Sequence, residues 1–218
     1  MQLLFSAGKA ETIHHDPGYR PGDPQPGKHP LPACLPGTVI PQAPGAAGAG
    51  MFAQLRPMLE ATDGLSLGQV CAITGLEPST VQNWIKRGFV SHPVNKKYRA
   101  RQLARILLIA ALRDCMPLER IGELMTCVNG DTDDEGDDII SEEQLYDYLC
   151  AIVAPQGADP EPAQERIRRI TAAYRAPDEG ARGRLMQALL VMTYAYEAKR
   201  YKQAADACFE SLKSAATE

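Results

Sequence analysis

The stretch SLGQVCAITGLEPSTVQNWIKRG, residues 66–88, predicts two short helices joined by a tight turn. Ser66 followed by Gln69 is the pattern of a capping box, which begins a helix. Gly75 suits the end of that helix, because glycine readily adopts the left-handed conformation, and Pro78 suits the first turn of the next helix. Two short helices around a tight turn predict a helix-turn-helix.

The second of these helices, from Pro78 to Arg87, divides into an apolar and a polar face. The apolar side chains recur at the spacing of residues that pack on a neighbouring helix; they are Val81, Trp84 and Ile85. The opposite face carries side chains that can contact base edges or phosphates; they are Ser79, Gln82, Asn83 and Lys86. This division predicts a recognition helix that enters the major groove of DNA.

Basic charge is concentrated on this stretch and on the residues after it. From residue 66 to 105 the chain has seven basic residues and one acidic residue, although its formal net charge is −4. Asn95-Lys96-Lys97 has the composition expected at the tip of a small hairpin, or wing. A basic segment in an acidic chain predicts contacts with phosphates. We expect these contacts from Lys86, Arg87, Asn95, Lys96, Lys97, Arg99 and Arg101.

Residues 65–90 resemble, without a gap, the first half of the DNA-binding domain of MerR-family proteins. Thr80, Gln82 and Asn83 stand at positions that face DNA in that family, and Tyr98 matches its wing tyrosine. The resemblance implies a winged helix-turn-helix. It adds Thr80 to the expected base-reading residues and Tyr98 to the expected wing contacts.

A longer stretch, residues 66 to about 153, is similar to a bacterial family of domains of unknown function, number eighteen thirty-six. The similarity lies in the helix-turn-helix, in LARILLIAALRDCMPLERI (residues 103–121), in an acidic loop and in DDIISEEQLYDYL (residues 137–149). That family is regarded as MerR-like and DNA-binding, and no ligand is assigned to it.

The chain after the wing predicts one helix after another. We therefore expect an all-α fold: a MerR-like winged helix-turn-helix followed by a helical bundle, with a small wing hairpin at most. Residues 51–153 form the predicted first domain, and the proline-rich stretch 154–162 a linker. Residues 163–218 form C-terminal helices for dimerisation or for a partner. The predicted helices are 51–61, 66–74, 78–87, 100–115, 117–128, 141–152, 163–175 and 181–214.

Residues 1–50 differ from the rest in being rich in proline and glycine, which predicts a disordered or extended leader. Met51 begins a segment of ordinary globular composition, so a true start at Met51 is a hypothesis, and whether residues 1–50 belong to the native protein stays open. The absence of a signal peptide and of a long apolar run predicts a cytoplasmic protein without membrane contact.

The acidic loop after the fifth helix partly matches an EF-hand. Asp131, Asp133, Glu135 and Glu142 fall at positions 1, 3, 5 and 12, but position 8, usually apolar, is Asp138. We expect a hydrated loop that mimics phosphate charge or pairs with the basic wing, rather than a calcium or magnesium site. The six cysteines form no C-x-x-C pair, so no zinc site, disulfide frame or cofactor is expected.

The last predicted helix has an apolar stripe made of Leu185, Leu189, Met192 and Tyr196. The stripe either packs on the chain's own helices, which is the interpretation we favour, or forms a homodimer. A two-fold dimer would double the few contacts that one recognition helix makes.

These patterns predict a DNA-binding transcriptional regulator, with a non-enzymatic, all-helical interaction adaptor as the alternative. No glycine-rich phosphate loop, nucleophile elbow or histidine triad indicates an enzyme. The two alternatives differ in whether the basic side chains face solvent or pair with the acidic loop. The operator, the direction of regulation, an effector and the oligomeric state stay open.

Overall fold

The computed structural model describes residues 34–41, 50–132, 134, 136–155 and 161–215, all of which lie in one compact unit. This part of the chain contains helices and isolated β-bridges but no strand, so the predicted all-α class is confirmed. The helices are α1 (Met51–Ala61), α2 (Leu67–Thr74), α3 (Pro78–Lys86), α4 (Ala100–Leu112), α5 (Leu118–Asn129), α6 (Glu142–Val153), α7 (Ala163–Ile170) and α8 (Ala181–Ala215).

The predicted helix caps are present. The Ser66 backbone N–H donates to Gln69 Oε1 at 2.8 Å, and the Gln69 N–H donates to Ser66 Oγ at 3.4 Å, which completes the capping box of α2. Gly75 ends α2 with φ +68°, and Ser141 Oγ accepts from the Gln144 N–H at the start of α6. These polar groups satisfy backbone donors and carbonyls that a helix end leaves without partners.

Helix α4 is the centre of the core. Every residue from 102 to 112 is buried, and the helix packs against α1, α2, α5, α6 and α8. On α8, Leu185, Leu189 and Met192 are fully buried in the same apolar cluster as α4. The predicted packing of this stripe on the chain's own helices is therefore confirmed. Helices α7 and α8 share the core of the preceding helices, so the stretch 154–162 does not divide two cores.

Two helices end earlier than their sequences predict. Helix α4 ends at Leu112 rather than residue 115, although N–H groups from the next turn still donate to the Leu112 carbonyl. Helix α7 ends at Ile170 rather than residue 175. After this helix end, the Arg182 guanidinium donates hydrogen bonds to the carbonyls of Thr171 and Tyr174. Arg182 lies in the first turn of α8, so the sequence of α7 alone does not contain this signal.

Residues 34–41 form a short arm that is hydrogen-bonded to the helical body. The Val39 N–H donates to the carbonyl of Ile73 in α2 at 3.0 Å. The Tyr146 hydroxyl in α6 donates to the Pro36 carbonyl at 2.7 Å. Most of the predicted leader, residues 1–50, lies outside the described residues. The part that the structure describes is docked on the body, which its composition did not predict.

Gly37 fixes the path of this arm. Its φ is +71°, and a Cβ at this position would lie 2.1 Å from the carbonyl oxygen of Leu107 in α4. Such a contact is impossible, and the oxygen belongs to helix backbone that cannot easily move. The close approach of arm and helix therefore requires glycine.

None of the described helices is both long enough and apolar enough to cross a bilayer.

Candidate nucleic-acid interface

Helix α3 has the two faces that its sequence predicts. Val81 is fully buried and Trp84 is 4% exposed, and α3 packs against α2 through this side. The other side faces solvent; its exposed residues are Ser79, Gln82, Asn83 and Lys86. Thr80 is half-buried at the edge between the two faces. Three of the four predicted base-reading side chains are thus freely accessible, and the fourth is partly so.

The segment after α3 is held on α4. Gly88 follows the helix end with φ +77°, which turns the chain sharply. The Arg105 side chain on α4 then donates from Nε to the Phe89 carbonyl at 2.7 Å. Gln102, one turn earlier on α4, donates to the His92 carbonyl at 2.6 Å. These two bonds fix the chain between α3 and the hairpin that follows it.

The wing is a hairpin with a two-residue turn. Backbone bonds run in both directions between Val94 and Lys97, at 2.9 and 3.1 Å. Between them, Asn95 and Lys96 have φ values of +51° and +61°, as a type I′ turn requires. A second bridge, between Leu65 and Tyr98, ties the base of the wing to the residue before the cap of α2. A small hairpin is therefore present where the sequence predicts one, and it is limited to these few residues.

Tyr98 does not take the position that its resemblance to a wing tyrosine implies. The side chain is 3% exposed and belongs to the apolar core beneath the wing. Burial raises the pKa of its phenol. Tyr98 therefore supports the wing from inside and cannot reach a phosphate in this conformation, which corrects its assignment as a wing contact.

Three lysines of the predicted phosphate-binding set have no acidic partner among the residues that the structure describes. Lys86 and Lys96 are exposed and Lys97 is half-exposed. Within the part of the chain that the structure describes, no carboxylate comes within ion-pair distance of their amino groups. Uncompensated cations of this kind attract polyanions.

Two of the predicted arginines are paired at the surface. Arg87 contacts Glu119 on α5, and Arg99 contacts Asp63 at 3.1 Å. All four side chains are more than 40% exposed. Exposed pairs contribute only about 0–1 kcal/mol, so either arginine can exchange its carboxylate for a phosphate at little cost.

Arg101, by contrast, is held inside the acidic loop. Its Nη2 donates to the carbonyls of Asp131 and Asp134 at 3.3 and 3.0 Å, and lies 3.5 Å from Asp138 Oδ1. Its Nε donates to Glu142 Oε1 at 3.2 Å, and the side chain is only 15% exposed. The predicted role of Arg101 as a phosphate contact is therefore corrected, because its donors are committed within the protein.

Glu142 connects this loop to the core. The carboxylate is 0% exposed and accepts from Arg101 and from Arg105 Nη1, the latter at 3.2 Å, while Arg105 is 4% exposed. Burial raises the pKa of the Glu142 carboxyl and lowers that of the Arg105 guanidinium, and their mutual attraction opposes both shifts. The pair joins the start of α6 to the middle of α4, the same helix that anchors the segment after α3.

The contacts of Glu142 and Arg101 in the acidic loop argue against a calcium or magnesium site of the EF-hand type. Asp133 and Glu135 lie outside the described residues. Glu142, the twelfth position, is bound by two guanidinium groups, and Arg101 already places positive charge against the carbonyls of the loop. Among the described residues, no group of three acidic, histidine or cysteine side chains is arranged to hold a metal ion.

Sequence reasoning missed the internal role of Arg101 and Arg105. Both were counted as basic charge on one segment, but they lie four residues apart on α4 and so share one face. Opposite them is an acidic loop that ends in the N-terminus of another helix. The i, i+4 spacing of two arginines on an otherwise apolar helix was the available signal, because isolated charges on a buried helix need partners.

Part of this chain matches a known family of domains. Residues 65–149 match a family described as a domain of unknown function, DUF1836. The matched segment runs from the base of the wing through the helix-turn-helix, the acidic loop and most of α6. The predicted resemblance to this family is confirmed over these residues.

One relative is the protein YkrK of Bacillus subtilis (strain 168), whose printed name describes it as uncharacterized. It is 31% identical to this chain over 93 residues, which cover 41% of this chain and 40% of the relative. The chain thus matches less than half of the relative's length. No solved structure matches the chain.

Proposed function

We propose that this protein is a cytoplasmic DNA-binding transcriptional regulator that acts as a homodimer, without catalysis or a cofactor. In this proposal α2, α3 and the wing form a MerR-like winged helix-turn-helix. Helix α3 enters the major groove, where Ser79, Thr80, Gln82 and Asn83 contact base edges. The wing and the end of α3 contact phosphates through Lys86, Lys96 and Lys97, and Arg87 and Arg99 join them after releasing their carboxylates.

The observations that support this proposal most strongly are the exposed polar face of α3 and the three lysines, one on α3 and two on the hairpin, that pair with no carboxylate of the described residues. An exposed lysine without a carboxylate partner keeps its full attraction for a phosphate. The amides of Gln82 and Asn83, which are exposed on α3, are of the type that makes bidentate contacts with adenine. A short helix that buries one side and presents amides and cations on the other has the composition of a recognition helix.

The test is binding of the full chain to random-sequence duplex DNA over a series of salt concentrations. Binding should weaken steeply as salt rises, with a slope of roughly −0.9 for each phosphate neutralised. Lys96→Ala and Lys97→Ala should each weaken binding to all sequences and lower the slope by about one. Arg168→Ala is the matched control, since Arg168 is an exposed cation on α7, outside the candidate interface.

Base reading is tested separately. After an operator has been selected from the random pool, Gln82→Ala or Asn83→Ala should reduce the preference for that operator by about 1–3 kcal/mol while leaving non-specific binding intact. Absence of DNA binding at low salt, or lysine variants that behave like Arg168→Ala, would overturn the assignment of the interface.

The alternative is a non-enzymatic interaction adaptor, and one observation favours it. Arg87, Arg99 and Arg101 are all paired with acidic groups in the folded chain, so part of the basic set is already neutralised. An adaptor would hold a protein partner with its C-terminal helices and its acidic loop. It would show no salt-dependent binding to duplex DNA, so the same titration separates the two functions.

A further inference from the structure

The acidic loop between α5 and α6 lies against the end of α3. From residue 131 to 138 the sequence has six acidic residues and no basic residue. The Thr132 hydroxyl donates to the carbonyl of Gly88, which follows the end of α3, at 3.4 Å. Gly88 is the next residue after Arg87 and is two residues from Lys86, and both of these belong to the proposed phosphate contacts. A strongly acidic segment therefore contacts the edge of the basic surface.

Two acidic residues of the loop line the same recess as the end of α3. The recess has a volume of about 670 Å³, and Asp131, Asp137 and Gly88 all belong to its wall. Both aspartates are exposed. Arg184 also lines the recess, but its guanidinium is already paired with Asp178 at 2.7 Å. The recess beside the end of α3 therefore carries an excess of negative charge.

Hydrogen bonds hold the loop in this place. The Arg101 guanidinium donates to the carbonyls of Asp131 and Asp134, which ties the loop to the start of α4. Inside the loop, the Asp131 N–H donates to Asp137 Oδ2 at 3.0 Å. The Gly136 N–H donates to Asp134 Oδ1 at 2.8 Å. The folded loop therefore sets the positions of these acidic residues beside the end of α3.

The recess is small enough for these charges to act on a phosphate at the end of α3. A recess of this volume is about 9 Å across, which is close to the Debye length at physiological salt. The carboxylates of Asp131 and Asp137 are therefore only partly screened from such a phosphate. At this separation in water, one like charge weakens the binding of one phosphate by about twofold, so the two carboxylates together weaken it by about fourfold.

We infer that the acidic loop is an autoinhibitory element that lowers the affinity of this chain for DNA. The inference rests on the proposed function and concerns the regulation of the same surface. The loop acts through its charge while it stays in the position that the structure shows. Its carboxylates on Asp131 and Asp137 repel the phosphates that Lys86 and Arg87 attract.

The test compares the full chain with its double variant Asp131→Asn, Asp137→Asn in binding to random-sequence duplex DNA. Asparagine keeps the shape of aspartate and an oxygen that accepts hydrogen bonds, so the loop should keep its fold. The double variant should bind DNA about fourfold more tightly at low salt. This gain should shrink as salt is added, because the Debye length falls from about 30 Å at 0.01 M to about 3 Å at 1 M.

Two control variants separate the position of the charge from other effects. Asp206→Asn combined with Glu210→Gln removes two negative charges from the exposed end of α8, and it should leave DNA affinity close to that of the wild-type chain. Thr132→Val removes the hydroxyl that contacts the Gly88 carbonyl but leaves the charge of the loop unchanged. It should also bind DNA as the wild-type chain does.

Three results would overturn the inference and leave the proposed function intact. The first is a wild-type chain that binds DNA as tightly as the loop variant. The second is an equal gain in the α8 variant, which would mean that only net charge matters. The third is an equal gain in Thr132→Val, which would mean that the contact and not the charge inhibits.

A different result separates the two proposals. If neither the wild-type chain nor the loop variant binds duplex DNA at low salt, the proposed function itself fails and the inference fails with it. Urea unfolding of each variant, followed by circular dichroism, checks folding independently of DNA.

Discussion

Replacement of Glu142 by glutamine tests the role assigned to the buried charge network. The substitution keeps the shape of the side chain and removes only its negative charge. In the folded protein that charge neutralises Arg105, which is 4% exposed, and Arg101, which is 15% exposed. Arg105 cannot regain water without a local opening of the contact between α4 and α6. The variant therefore leaves buried positive charge without compensation.

The expected cost follows from that burial. Breaking a buried ion pair by removing one partner costs about 3–5 kcal/mol. We expect the lower end, roughly 3 kcal/mol, because the glutamine oxygen still accepts a hydrogen bond and Arg101 keeps its bonds to loop carbonyls. Replacing Arg105 and Glu142 together by methionine and leucine should recover part of this loss, because the most deeply buried pair of charges is then absent while Arg101 keeps Asp138 and the loop carbonyls.

The assay is urea unfolding followed by circular dichroism, at one protein concentration so that association contributes equally. Glu119→Gln is the matched control, since it makes the same change in the exposed pair with Arg87 and should cost about 0–1 kcal/mol. If Glu142→Gln lowers the free energy of unfolding no more than Glu119→Gln does, the buried charge network does not stabilise the fold as its burial implies.

Two further predictions concern the arm and the core. Gly37→Ala should destabilise the protein by about 2 kcal/mol in urea unfolding, because the new Cβ would displace the arm and remove the partner of the Tyr146 hydroxyl. Gly68→Ala on α2, where a Cβ meets nothing within 4 Å, should not destabilise it. Burial raises the pKa of Cys150 from 9.0 to about 12. Between these values the folded thiol keeps a proton that the unfolded thiol loses, so the free energy of unfolding should fall as pH rises. Between about pH 8 and 10.5, the free energy of unfolding should fall less steeply with pH for Cys150→Ala than for the wild-type protein. Identical slopes for the two proteins would contradict this assignment.

Helices α2 and α3 and the turn between them were predictable because their signals are local. Ser66, Gln69, Gly75 and Pro78 fix helix ends through the backbone groups next to them, and Val81 with its neighbours fixes which side of α3 is buried. Such signals act within one or two turns and need no knowledge of the rest of the fold. The turn of the wing was also predicted from a few adjacent residues.

The position of Arg101 and the docking of the arm were not predictable in the same way. Arg101 is a basic residue at the start of a helix, and its spacing from Arg105 indicates a shared helix face but not which groups in the rest of the chain pair with it. Its partners lie 30 to 41 residues later. The arm is rich in proline and glycine, which indicates a loop but not where the loop packs. Its hydrogen-bond partners lie 34 to 162 residues later.

The arm has a consequence for the order in which the chain can fold. The Pro36 carbonyl accepts from Tyr146, 110 residues later, and the Cys34 carbonyl accepts from Tyr196, 162 residues later. During synthesis the arm emerges early, but its binding site is complete only when half of α8 has left the ribosome. The arm can therefore dock only late in folding, because its contacts are long-range. Its docking requires that the helices it contacts have already assembled.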